Sequence, residues 1–118
     1  MRNSVVANID LFPTFAQYAA VVPITKVNGT SLVPLINDSS TPWRSALLLE
    51  YLAPTTAANQ DFQAVRTTRY LYNELVSGER ELYDLQNDPY ELINVYNDPA
   101  YASVIPGLQA QLANLKAQ

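Results

Sequence analysis

The stretch Glu81–Pro99, ELYDLQNDPYELINVYNDP, decides the fold, because an alternating strand runs into acidic turns on its way to the end of the chain. In Glu81, Leu82, Tyr83, Asp84 and Leu85 the charged and aromatic positions alternate with Leu82 in the period-two manner of a half-buried strand. Asp88-Pro89 then sets a side-chain acceptor before a residue with no backbone N–H, and Glu91 completes a capping-box spacing with Asp88. The pattern predicts a helix start with Asp88 as its cap. Asn97-Asp98-Pro99 repeats the device and makes Asp98 a second cap, so the region joins a sheet to a terminal helix. These residues read as architecture, with no chemistry of their own.

Working back from Glu81, three short alternating runs follow one another: Phe62–Thr67, Tyr70–Val76 and Glu81–Leu85. Ser77-Gly78-Glu79 reads as a hairpin connection, and the three runs form an antiparallel meander. Ala46–Leu52 is an almost continuous apolar run, predicted as a central strand buried on both faces, which brings the sheet to four strands. Downstream, Val104, Leu108, Leu112 and Leu115 share one helical face, with Ile105 beside them, and that helix covers one face of the sheet. Pro106-Gly107 is expected to kink or divide it.

At the other end of the chain, Asp10 precedes two rows at four-residue spacing, Leu11, Phe15, Ala19 and Phe12, Ala16, Ala20, which predicts an amphipathic helix with Asp10 as N-cap. Pro13 falls in its first turn and Pro23 is its expected stop. Asn28-Gly29 signals a turn, and Ser31 caps a second short helix through Leu32 and Ile36. The aperiodic stretch Ala53–Asp61 is the best candidate for a functional loop by position and length. The expected class is α+β: a four-stranded, mainly antiparallel sheet packed by a C-terminal helix and preceded by short helices.

Composition narrows the chemistry. A chain of 118 residues, 48% hydrophobic and 15% charged, is ordinary globular material for one core. With a net charge of −4 and seven scattered basic residues, no nucleic-acid partner is expected. No membrane association is expected either, since no apolar run reaches the length of a span. Met1-Arg2-Asn3-Ser4 lacks the basic-then-apolar order of a signal peptide, so an exported protein would carry its signal elsewhere, and the compartment stays open. The chain has no cysteine and no histidine, which removes disulfides, thiolate nucleophiles, the usual general base and the commonest transition-metal ligands. Its 8 tyrosines suit a pleated sheet first.

Four stretches, taken in order, resemble the C-terminal end of the sulfatase family, within the alkaline-phosphatase-like superfamily. They are Asn8-Ile9-Asp10-Leu11-Phe12-Pro13-Thr14, then Asn28-Gly29-Thr30-Ser31-Leu32-Val33-Pro34-Leu35, then Trp43-Arg44-Ser45-Ala46-Leu47-Leu48-Leu49-Glu50-Tyr51, and finally Ala64-Val65-Arg66-Thr67 through Asp88-Pro89. They look like the family's I-D-L-x-P-T, D-G-x-S-L-x-P-L, W-R-x-x-L-L-x-E-Y and closing R-T-x-R-Y-x-Y and E-L-Y-D-L-x-x-D-P-x-E segments, with Asn28 in place of an aspartate. The flavour is that of the arylsulfatase and N-acetylglucosamine-6-sulfatase branch. The resemblance implies that residues 1–40 close an α/β catalytic domain and residues 41–118 form the smaller C-terminal α+β subdomain. It also implies a parent enzyme that hydrolyses sulfate esters with a formylglycine and a calcium ion, both supplied by sequence preceding these motifs. No cofactor is expected in this chain, which is expected to be inactive alone. Its expected partner is the catalytic domain, or another copy through the face left uncovered.

Several local patterns compete with that reading. Ser40-Thr41-Pro42-Trp43-Arg44 fits the S-x-P-x-R form of a formylglycine precursor, but it runs into a strand where the family motif runs into a helix, and Trp43 replaces a small residue. Asp84, Asp88 and Glu91 suggest a metal cluster, yet turn and cap chemistry already uses them. Arg66, Arg69 and Arg80 are candidates for a sulfate patch or, more simply, cross-strand partners of Glu74, Glu79 and Glu81. Glu50 and Tyr51 end the buried strand and are the residues most suited to a substrate rim, against the plainer reading of a tyrosine closing the core. Asn28 and Asn37 begin short glycosylation-type sequons that say little about compartment. The alternatives to a sulfatase tail are a stand-alone protein-interaction module with the same fold and a carbohydrate-binding domain.

Overall fold

The computed structural model describes residues 4–52 and 61–117, in two compact units, Met1–Arg44 and Ser45–Gln118. The second unit is a four-stranded antiparallel sheet in sequential order: β1 (Ala46–Tyr51), β2 (Phe62–Thr67), β3 (Tyr70–Leu75) and β4 (Arg80–Asp84). Gly78, at φ +96°, turns the β3–β4 connection, a backbone conformation that favours glycine. Register aligns Leu48, Val65, Tyr72 and Leu82 in one row across all four strands. Helix α3 (Ile105–Lys116) lays Leu108 and Leu112 on that face, and Val65, Tyr72, Leu82 and Leu112 are essentially removed from water. Each such side chain contributes roughly 1.5–3 kcal/mol of burial. The row is therefore the core of the sheet.

Two expectations change here. Pro106 lies in the first turn of α3, where a missing N–H leaves no bond unmade, and the helix runs on unbroken for 12 residues. Among the described residues the apolar run at Ala46 is an edge strand paired with β2 alone, so its continuous hydrophobicity does not mark a central position. Ala46 is buried, Leu47 to Leu49 are half-buried, and Glu50 and Tyr51 are exposed.

The acidic stretch after β4 differs more. No helix begins at Asp88; residues 85–98 are turns and irregular backbone. Asp88 Oδ2 accepts from the N–H groups of Leu92 (2.7 Å) and Ile93 (2.8 Å), closing a turn, while Glu91 sits in the left-handed region at φ 57°, which a helix does not tolerate. The segment is instead drawn to the free edge of β4. Leu82 N–H donates to Asn94 Oδ1 (3.0 Å), Val95 N–H donates to the Leu82 carbonyl (2.8 Å), and Asn94 Nδ2 donates to the Arg80 carbonyl (3.2 Å). This strap satisfies an edge that would otherwise be open to other chains. Asp98 then accepts from Ala100 N–H at 2.9 Å and opens the 3-10 turn Pro99–Tyr101 that leads to α3.

The first unit holds a 3-10 turn, Asn8–Asp10, that runs into α1 (Leu11–Tyr18), and a short α2 (Val33–Asn37). Helix α1 ends before Pro23 through its own backbone. Val21 N–H reaches the Ala16 carbonyl (2.9 Å) and Ala20 N–H the Gln17 carbonyl (3.2 Å), a Schellman closure with Ala20 at φ 55° where glycine is usual. The helix is amphipathic as expected, but its apolar rows face outward: Phe12, Phe15 and Tyr18 are exposed, and Thr14 is its one buried residue.

Candidate functional site

Two buried carboxylates organise the polar side of this chain, one in each unit. Asp10, fully removed from solvent, accepts from Ala7 N–H through Oδ2 (2.9 Å) and from Thr30 N–H through Oδ1 (2.9 Å). Oδ1 also forms an ion pair with Arg44. Its own carbonyl accepts from Thr14 Oγ1 (2.6 Å), and that hydroxyl in turn accepts from Leu32 N–H (2.9 Å). Trp43 Nε1 donates to the Val5 carbonyl (2.8 Å), and the Arg44 guanidinium lies 5.1 Å from the Trp43 ring centre. Burial pushes the Asp10 carboxyl up, but the hydrogen bonds from Arg44, Thr30 and Ala7 outweigh it and hold the pKa below the ordinary value. The side chain thus closes its own 3-10 turn backward and reaches across the unit, instead of accepting from the next turn of α1.

Gly29 explains why this node closes. A Cβ on Gly29 would stand 1.9 Å from the Ile9 carbonyl oxygen and 2.9 Å from Asp10 N. The Asn28-Gly29 turn is therefore set by close backbone approach to the Asp10 turn.

In the second unit, Asp84 is buried at the end of β4. Arg69 grips it with two donors, Nε to Oδ1 (3.2 Å) and Nη2 to Oδ2 (2.9 Å), and Tyr101 Oη (3.2 Å), Asn87 Nδ2 (2.9 Å) and Gln86 N–H (3.2 Å) complete its shell. Arg69, then the Gln86 amide and Tyr101, lower its pKa against the opposing effect of burial. Beneath α3, Tyr72 Oη donates to Glu74 Oε1 (2.9 Å) and accepts from Gln109 Nε2 (3.2 Å), with burial raising its pKa. On the other face, burial and the Glu81 carboxylate raise that of Tyr83.

The expected site residues stand as follows. Glu50 accepts from Gln63 Nε2 (2.6 Å) at the end of β1. Tyr51 stacks on Phe62, centroids 6.1 Å apart, on the sheet face opposite α3, so it does not close the core. The loop they feed, Ala53–Asp61, lies outside the described residues except for Asp61. The arginines form no anion patch: Arg66 pairs with Glu91 (2.7 Å), Arg69 with Asp84, and Arg80 with Glu74 at the longer distance of 3.7 Å. Ser40 Oγ (2.7 Å) and Ser40 N–H (2.8 Å) both donate to Asp38 Oδ1, which closes an exposed turn. Among the described residues no group of three or more carboxylates is placed to hold a metal ion.

What the arrangement can do chemically is hold itself together. Asp10 and Asp84 are each neutralised by an arginine and backbone donors, so neither of these two buried carboxylates is free to act as a general base. The Asp10–Arg44 pair, whose members stand 34 positions apart, has no local sequence signature. The one available signal was that Asp10, Thr14, Gly29, Thr30, Trp43 and Arg44 all fall inside the quoted family-like stretches.

The family described as N-sulphoglucosamine sulphohydrolase, C-terminal, matches residues 1–118. The N-acetylglucosamine-6-O-sulfatase of Bacteroides thetaiotaomicron is 31% identical over 108 residues, 85% of this chain and 19% of that protein. A solved structure in complex with its substrate D-glucosamine-2-N,6-O-disulfate superposes with a TM-score of 0.78 at 25% identity, covering 92% of this chain and 23% of that one. The phosphonate monoester hydrolase of Agrobacterium radiobacter superposes with a TM-score of 0.73 at 32% identity, over 92% of this chain and 24% of that one. The chain spans about a fifth of the curated relative and about a quarter of each solved chain.

Proposed function

We infer the function from one premise: the chain belongs to the N-sulphoglucosamine sulphohydrolase C-terminal family, which matches it from residue 1 to residue 118. It is a sulfatase C-terminal subdomain, and a free-standing interaction module is not favoured. The whole protein is a sulfuric-ester hydrolase acting on sulfated sugars, a reading supported by the N-acetylglucosamine-6-O-sulfatase and the disulfated-glucosamine complex among its relatives. The phosphonate monoester hydrolase has a tail of the same fold, so this subdomain serves more than one ester chemistry and does not choose between a sulfur and a phosphorus centre.

In this proposal residues 1–40 complete the catalytic domain and residues 41–118 pack beside it. Calcium and formylglycine belong to the rest of the enzyme. The residues present here do not fit either group: Asp10 and Asp84 are committed to arginine and backbone donors, and Ser40 lies in an exposed turn. Glu50 and Tyr51 border the substrate pocket, and the partner of this chain is the catalytic domain. The observation that carries the reading is full-length family membership combined with coverage of only 19% of the curated relative.

The test compares the 118-residue chain with the whole protein on an aryl sulfate in the presence of calcium. Hydrolysis is expected from the whole protein alone. Turnover by the isolated chain would overturn the assignment of catalysis to the rest of the enzyme, and a whole protein that cleaves phosphonate monoesters but no sulfate ester would overturn the substrate class. For the rim, Tyr51→Ala in the whole protein is expected to raise KM several-fold with little change in Tm, since the ring is 45% exposed. An unchanged KM would remove Tyr51 from the pocket.

A further inference from the structure

We propose that the outer edge of β1 is a self-pairing surface that takes β1 of a second copy of this chain as an antiparallel neighbour. The two edges of the sheet are treated differently. The β4 edge is closed by the Asn94–Val95 strap, whereas among the described residues β1 makes backbone hydrogen bonds to β2 alone. Strand edges are normally guarded by lysine, proline, a bulge or a cover, because unpaired N–H and C=O groups template another strand. The β1 sequence ALLLEY has none of the guarding residue types in its first four positions, and its ladder to β2 runs without a bulge.

The strand is also complementary to itself. A two-fold axis through Leu48 sets Leu48 opposite Leu48, Leu47 opposite Leu49 and Ala46 opposite Glu50. This register keeps every side chain on its own face of the joined sheet. It also holds the two Glu50 carboxylates four residues apart, roughly 13 Å along the strands. No like charges face each other, and an apolar pair lies on each side of the axis. A second copy therefore extends the sheet from four strands to eight. The assembly is a closed, isologous dimer, because pairing two β1 edges leaves only strapped edges outside. The proposal does not depend on which ester the whole protein cleaves.

The test exploits the absence of cysteine from the sequence. Leu47→Cys and Leu49→Cys chains, mixed and oxidised, are expected to give a cross-linked heterodimer, with at least tenfold less cross-linking by either variant alone. Sedimentation of the unaltered chain is expected to show a concentration-dependent dimer, and Leu47→Lys is expected to shift it to monomer with its circular dichroism intact. A chain that stays monomeric at all concentrations overturns the proposal. So does a dimer that cross-links through Phe15→Cys on the exposed face of α1 and not through positions 47 and 49. Should Leu47→Lys fail to fold, the mixed cysteine pair still decides the outcome.

Discussion

Asp10 and Asp84 show how this chain uses ionised groups: each is buried, each is matched to an arginine, and each has its pKa held below the ordinary value near 3.8. A carboxyl whose folded pKa lies below its unfolded one adds stability that is fully present above the unfolded value and is lost as pH falls through the folded value. Unfolding free energy is therefore expected to be level near neutrality and to drop below about pH 4, and Asp84→Asn is expected to flatten that drop while lowering stability at pH 7. Urea titrations at pH 7 and pH 3 measure both. Asp10→Ala strands two backbone N–H groups and one arginine, at a cost of about 3 kcal/mol. Backbone geometry gives a contrasting pair. Gly29→Ala drives a methyl into the Ile9 carbonyl and is expected to cost about 3 kcal/mol, while Ala20→Gly relieves a left-handed alanine and is expected to gain about 1 kcal/mol. Thermal melts that moved in the same direction for both would contradict this account.

At the scale of elements, the meander and the final helix were legible because alternation and four-residue spacing report which face meets the core. The strap was not. Asp88-Pro89 with Glu91 spells a helix start locally, but the exposed edge of β4 competes for Asn94 and Val95, and those tertiary bonds win. The Ala46–Leu49 run misled for a related reason: continuous apolarity shows that both faces of a strand are apolar, not that the strand has two neighbours. Pro106 was misplaced by a matter of position: Asp98 caps only a 3-10 turn and the helix begins at Ile105, which turns the expected kink into a normal first turn. Asn94→Ala removes the acceptor for two backbone N–H groups, Leu82 and Tyr96, and is expected to cost about 1–2 kcal/mol. Hydrogen exchange at Leu82 checks it, because that amide should lose protection in the variant before its neighbours on β3 do.

For the whole molecule, α1 shows its apolar rows to solvent, which agrees with the expectation of an apolar face left uncovered. Phe15 is 65% exposed, so Phe15→Gln should leave stability within about 0.5 kcal/mol while reducing binding of a hydrophobic dye. A substantially lowered Tm would mean that Phe15 is packed after all. Family membership was legible because the motifs survive as ordered blocks, whereas the roles of their residues became clear only when Asp10, Gly29, Thr30 and Arg44 were seen to close on one another. That closure also bears on synthesis. A ribosome delivers Asp10 long before Arg44, so a nascent chain stopped short of position 44 carries a carboxylate with no counter-charge for its buried seat. The first unit is thus expected to stay open on the ribosome, exposed to chaperones, until its last residue emerges.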